Sequence, residues 1–211
     1  MNEADLRQSM SELAASLFAR GHAVGSAGNI SARLEDGGYL MTPTNSCLGR
    51  LDPARISQLD SEFRHIGGDK PSKEVFMHRA VYRARAEAGA VVHLHSTYAT
   101  AVSCLADVDP ACPIPPLTPY FVMRVGGTLP VVPYYRPGDA AMEPAIHDAA
   151  LGTRALLLAN HGPVVSGASL TDAVYAAEEL EESARLFLLL RGQNLRTLSP
   201  DQVRELLSVF G

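Results

Sequence analysis

Cysteine is scarce: Cys47, Cys104 and Cys112 are the three in 211 residues. The number is odd and no Cys-x-x-Cys pair occurs, which argues against a disulfide scaffold and against a cysteine-rich zinc knuckle. Long apolar runs are missing, and none approaches the ~20 residues that a membrane-spanning helix needs. Positive charge is short as well. Lys and Arg number 18 against 23 Asp and Glu, a net charge of −5, so there is no electrostatic footprint for nucleic acid or an anionic membrane. The opening Met1-Asn2-Glu3-Ala4-Asp5 lacks the basic and apolar regions of a secretory signal. Internal repeats, low-complexity segments and an internal domain boundary are also wanting. What is left is one globular domain over residues 1–211, 46% hydrophobic, expected to be soluble and cytoplasmic.

Strands and helices alternate along the chain. Leu6, Met10, Leu13 and Leu17 recur at helical spacing over residues 4–20, and Gly21 closes the run. Val24 to Arg33 is rich in small residues. Its backbone amides suit an anion, though on the residues alone a plain turn between helix and strand is the better reading. Tyr39-Leu40-Met41 is a short strand, and Thr42-Pro43-Thr44-Asn45-Ser46 puts hydroxyls and an amide on a turn. One helical turn at 52–56 and a strand or strand pair at 57–66 follow. Pro71-Ser72-Lys73-Glu74 opens a helix with Ser72 as N-cap and Glu74 in the first turn. That helix buries Val75, Met77, His78, Val81 and Tyr82.

The centre of the chain is the strand Ala90-Val91-Val92-His93-Leu94-His95. Residues two apart on a strand share a face, so His93 and His95 project together and can bite one metal ion. The best third ligand is His161, at the exit of the apolar run Ala155 to Leu158, and the best carboxylate is Glu74. Beyond that strand, Thr97 caps a short helix to Leu105, and five prolines keep Pro110 to Pro119 extended. Leu129–Val132 is a strand. Residues 139–151 form a helix with Met142, Ile146 and Leu151 inward. The longest helix covers 170–191 and carries Glu178, Glu179, Glu181 and Glu182 as a solvated face. Ser199-Pro200-Asp201 starts a terminal helix. The pattern is an α/β layered domain around a mixed sheet.

Six segments in order resemble the class II aldolase/adducin family on its L-fuculose-phosphate aldolase side. They are Gly28-Asn29-Ile30-Ser31, Thr42-Pro43-Thr44, Pro71-Ser72-Lys73-Glu74, His93-Leu94-His95, Tyr120 with Gly126-Gly127, and Asn160-His161-Gly162. The resemblance implies an α/β/α sandwich with a central mixed, mainly antiparallel sheet, assembled as a homotetramer with active sites between subunits. It implies zinc (Zn2+) on His93, His95 and His161. Glu74 would be a fourth ligand that becomes the acid/base when substrate displaces it, with Tyr120 as a second proton donor. Gly28, Asn29, Thr44 and Ser72 would line the phosphate site, and Asn45 stands where the family usually has glycine.

Two departures turn the reading away from an aldolase. Lys73 replaces a second serine, and the chain ends Val209-Phe210-Gly211 without the family's C-terminal tyrosine. The strings Met41 to Arg50 and Asp69 to Glu74 resemble instead the 3-oxo-tetronate 4-phosphate decarboxylase branch. The implied reaction releases CO2 and dihydroxyacetone phosphate through a zinc-stabilised enediolate, with Lys73 positioning the phosphorylated sugar acid. The alternatives are a sugar-phosphate aldolase, a non-catalytic adducin-like module, and an oxygenase or hydrolase built on the His-x-His strand. Arg124 and Arg136 are each open to a substrate or subunit contact.

Overall fold

The computed structural model describes residues 2–210. Helix α1 (Glu3–Ala19) begins at Asn2, whose side chain accepts the Asp5 amide, and buries Leu6, Met10 and Leu17. Strand β1 (Asn29–Arg33) comes next. The small-residue stretch is therefore loop only as far as Gly28; its second half alternates between two packed layers as a strand does. β2 (Tyr39–Met41), β3 (Ser57–Leu59), β4 (His65–Gly67), α2 (Val75–Ala84), β5 (Ala90–His93), α3 (Thr97–Ser103) and α4 (Pro119–Arg124) follow in order. β6 (Val131–Val132), α5 (Glu143–Ala150), β7 (Ala155–Leu158), β8 (Gly162–Gly167), α6 (Leu170–Leu190) and α7 (Pro200–Phe210) complete the chain.

All eight strands join one sheet in the order β4-β3-β2-β1-β5-β8-β7-β6. Every neighbouring pair is antiparallel except β6 with β7. Period-two alternation then sorts side chains to either side. Ile30, Val92, Leu157 and Val165 pack with α1, α3, α4 and α6. Val91, Leu156, Leu158 and Val164 pack with Phe76, Met77 and Val81 of α2 and Ile146 of α5. The result is the expected three-layer α/β/α sandwich. On the α2 side, Arg79 clamps α2 to α5 through a fork on Glu143, at 2.8 Å from Nε and 2.5 Å from Nη2. No helix among the described residues is long and apolar enough to cross a membrane.

Several sequence expectations need correction. The strand predicted to reach His95 ends at His93, because its partner β1 ends at the paired residue, Asn29. The helix over 139–151 splits into a 3-10 turn at Ala140–Met142 and α5. Leu151 follows the last helical residue with extended backbone and is 57% exposed. Ser96, not Thr97, is the N-cap residue of α3, and its side chain makes no cap bond.

That cap is made from elsewhere. Both carboxylate oxygens of Glu181 accept α3 amides at 2.8 Å, from Tyr98 and from Ala99. Glu181 is thus buried inside the supposed solvated face. Glu178 pairs with Arg20, Glu179 is half-buried with its carboxyl raised by burial, and Glu182 is the exposed member. Glu181→Ala leaves two α3 amides without their acceptor, the buried Ala99 amide among them, beside the segment that carries His95. We expect a loss of about 2–3 kcal/mol and a thermal midpoint lower by roughly 5–10 °C. Thermal unfolding followed by circular dichroism checks this, and an unchanged midpoint would refute the capping role.

Candidate active site

The three histidines that were spaced for a metal do converge. His93 leaves β5 on the face turned to α2 and is fully buried. Its Nδ1 lies 2.9 Å from the Pro163 carbonyl. That carbonyl can only accept, so neutral His93 carries its proton on Nδ1 and directs the Nε2 lone pair inward. Beyond the strand, His95 places Nε2 3.1 Å from His93 Nε2, and His161 places Nε2 3.0 Å from His95 Nε2. Burial lowers the pKa of all three, and for His93 and His95 neighbouring histidines lower it further. Neutral imidazoles are the form that ligates metal.

Backbone detail brings His161 in. It lies in the β7–β8 turn, between Asn160 at φ 57° and Gly162 at φ 154°. A Cβ on Gly162 would stand 2.3 Å from the Leu94 carbonyl oxygen. Only glycine lets this turn close on the strand that carries the other two histidines.

Glu74 completes the cluster from the start of α2. It occupies the N-cap position, not the first turn, so its side chain is free to point across the cleft. Ser72 sits two residues earlier and its hydroxyl accepts the Glu74 amide at 3.2 Å. The carboxylate is held by Asn29, whose Nδ2 donates to Oε2 at 2.7 Å. Oε2 is 3.7 Å from His93 Nε2, and Oε1 is 3.9 Å from His161 Nε2. Imidazole nitrogens bound tetrahedrally at ~2.05 Å stand roughly 3.3 Å apart. Three neutral imidazoles, with His95 at nearly that spacing from each of the other two and a carboxyl group facing His93 and His161, fit a divalent cation. They are the one such group among the described residues.

A cleft of about 280 Å³ opens beside the cluster. It is lined by Gly28, Asn29, Thr44, Asn45, Ser72, Lys73, Glu74, His95 and His161. Every expected anion-binding residue is therefore present, drawn from three parts of the chain. Asn45 has φ 56°, a left-handed conformation that asparagine tolerates and glycine adopts freely. Thr42 is structural: it is buried and its Oγ1 accepts the Ile30 amide at 3.1 Å. Tyr120 is not brought in. It is 63% exposed on α4 and does not line this cleft. Arg124 lies near Asp172, at 4.0 Å, in a separate cavity. Arg136 lines nothing in the cleft, but its neighbours Pro137 and Gly138 do. Of that loop only Arg136 was singled out in the sequence, and no local signal marks Pro137 and Gly138. His78, expected to pack within its helix, is buried and bonded through both ring nitrogens.

A family model described as "Class II Aldolase and Adducin N-terminal domain" matches residues 8–188. The 3-oxo-tetronate 4-phosphate decarboxylase of Escherichia coli K12 is 50% identical over 206 residues, covering 98% of this chain and 97% of that protein. The L-fuculose phosphate aldolase of Haemophilus influenzae is 33% identical over 214 residues, covering 100% and 95%. Among solved structures, YgbL from Klebsiella pneumoniae superposes with a TM-score of 0.94 at 53% identity, covering 98% of this chain and 99% of its own.

Proposed function

The chain belongs to the class II aldolase and adducin family, and from that premise we propose that it decarboxylates 3-oxo-tetronate 4-phosphate to dihydroxyacetone phosphate and carbon dioxide. One observation carries the choice within the family. Relatives bearing this activity share about half of all residues over nearly their whole length, while the aldolases share about a third. The enzyme is a lyase.

The family is metal-dependent, and the three-histidine cluster suits the same requirement here. We assign His93, His95 and His161, with Glu74, to hold the ion, and read it as zinc. When bound, it supplies electrostatic stabilisation for oxygen that gains charge as the carbon–carbon bond breaks. The chain's own residues do the rest. Amides and hydroxyls at Gly28, Asn29, Thr44, Asn45 and Ser72 anchor the phosphate. Lys73, exposed at the mouth of the cleft, orients the substrate carboxylate as a point charge. It must not hold that group too tightly, since the charge leaves the carboxylate in the transition state. Breaking the C1–C2 bond releases carbon dioxide and leaves the electron pair on C2, where a proton has to arrive. Glu74 delivers it. Each turnover consumes one proton, so Glu74 is recharged from solvent through the open cleft. Tyr120, exposed and outside its own cleft, is read as serving a neighbouring subunit in a cytoplasmic homotetramer.

The test is zinc-loaded protein with 3-oxo-tetronate 4-phosphate, following dihydroxyacetone phosphate in a coupled assay. The enzyme-free rate is subtracted and chelated protein is the control. We expect metal-dependent product. Lys73→Ser should lower kcat/KM about 10–100-fold, the worth of roughly 1.5–3 kcal/mol of positioning, with metal content intact. Aldol cleavage of a sugar phosphate without decarboxylation would overturn the assignment in favour of an aldolase. An undiminished Lys73→Ser would remove Lys73 from it.

A further inference from the structure

We propose that His78, which does not touch the cleft, is a positioning residue that decides which atoms of Asn29 and Glu74 face the substrate. It does so as the middle link of a one-directional hydrogen-bond chain. Two periodicities bring the chain together. Asn29 and Ser31 are two apart on β1 and share the face turned to α2. Glu74, His78 and Tyr82 are four apart at the start of α2 and along it, so they share the face turned to β1.

The contacts run without a gap. Tyr82 Oη lies 2.9 Å from Ser31 Oγ, and Ser31 Oγ lies 2.7 Å from His78 Nδ1. His78 Nε2 lies 2.5 Å from Asn29 Oδ1, and Asn29 Nδ2 lies 2.7 Å from Glu74 Oε2. Asn29, Ser31, His78 and Tyr82 are all buried.

Chemistry fixes the direction from the Glu74 end. There the Asn29 amide nitrogen is the atom that faces Glu74, and it donates to Oε2. The Asn29 carbonyl then faces His78 and needs a donor, which must be Nε2–H. A neutral imidazole has one N–H, so Nδ1 is bare and accepts the Ser31 hydroxyl. Ser31 Oγ in turn accepts from Tyr82. Burial agrees with a neutral ring, pushing His78 down to about 3, and it raises the Tyr82 phenol so that its proton stays on.

Two properties of the site follow. Asn29 can offer the cleft a second N–H but no carbonyl, so it presents only a donor to an anionic group. Oε2 of Glu74 is taken as acceptor, which leaves Oε1 as the atom that carries the transferable proton. This second property rests on Glu74 being the proton donor proposed above; the tautomer of His78 does not.

The test uses the full chain labelled with nitrogen-15 in histidine, metal-free and zinc-loaded, in two-bond proton–nitrogen spectra at neutral pH. The His78 signal is the one absent from His78→Gln. We expect the Nε2–H tautomer with bare Nδ1 in both forms. An Nδ1–H tautomer or a doubly protonated ring would overturn the proposal. This readout needs no substrate, so it stands or falls apart from the decarboxylase assay. Turnover supplies the second readout. His78→Gln keeps an N–H donor and should retain kcat within about threefold. His78→Leu should lose about 10–100-fold in kcat with zinc content retained, the scale of a misplaced reacting group. Equal loss in two folded variants would reduce His78 to packing and overturn the positioning role.

Discussion

Replacing His161 with alanine is expected to strip the metal and abolish most turnover. Zinc content should fall from one per chain to well under one tenth, and kcat/KM should drop about 10³-fold or more. The magnitude follows from the several kcal/mol that a bound cation contributes to a charged transition state, at 1.36 kcal/mol per decade. His161 is the informative choice among the three. His93 is bonded to the Pro163 carbonyl and fully buried, so its removal would also open a cavity in the packed layer. His161 sits on a turn, and its removal leaves β7 and β8 free to pair as before. Metal analysis beside circular dichroism separates the two effects. A folded His161→Ala protein with full zinc occupancy would exclude this residue from the ligand set, and the other histidines would need re-examination.

The second large effect is at Glu74. Glu74→Gln keeps the length and shape of the side chain, and its carbonyl can still accept from Asn29 Nδ2. Three histidines remain, so zinc should stay close to stoichiometric. What is lost is the proton that Glu74 is proposed to deliver, and removing a general acid costs about 10²–10⁴ in kcat. The contrast with His161→Ala is the point: one variant loses turnover with the metal, the other loses turnover and keeps it. A kcat within tenfold of the parent would show that the proton at C2 comes from another group. Tyr120 from a neighbouring subunit would be the first to test.

Much of this site was readable in the residues because its signals are local. The His93/His95 pair follows from strand alternation, and it survives the strand ending at His93, where Leu94 still bonds to the Pro163 carbonyl and the two rings stay together. His161 was legible as a histidine at the exit of an apolar strand. The layered α/β architecture followed from alternating periodicities. Most of the features that escaped are made by distant partners. Glu181 stood in an acidic run that any helix surface might carry, and nothing local announces that it caps α3, more than eighty residues away in the chain. His78 fits a buried helix face equally well with or without ring partners, and only the pairing of β1 against α2 supplies them. Glu74 was legible as the best carboxylate, and what escaped was its N-cap position, which leaves it facing the histidines. Leu151 was misassigned because helical spacing does not say which residue ends the helix.

The position of β5 has a further consequence for how the protein is made. This strand is flanked by β1, synthesised long before it, and by β8, synthesised long after. On the ribosome the array from β4 to β5 can therefore assemble first, while the second edge of β5, with Val91 and Val92, waits for residues 162–167. An unpaired apolar edge of that kind is what chaperones and other nascent chains capture. The third histidine travels on the same late segment. Assembly of the three-histidine cluster is thus deferred until this later segment is made, and the edge is sealed by the same stretch of chain.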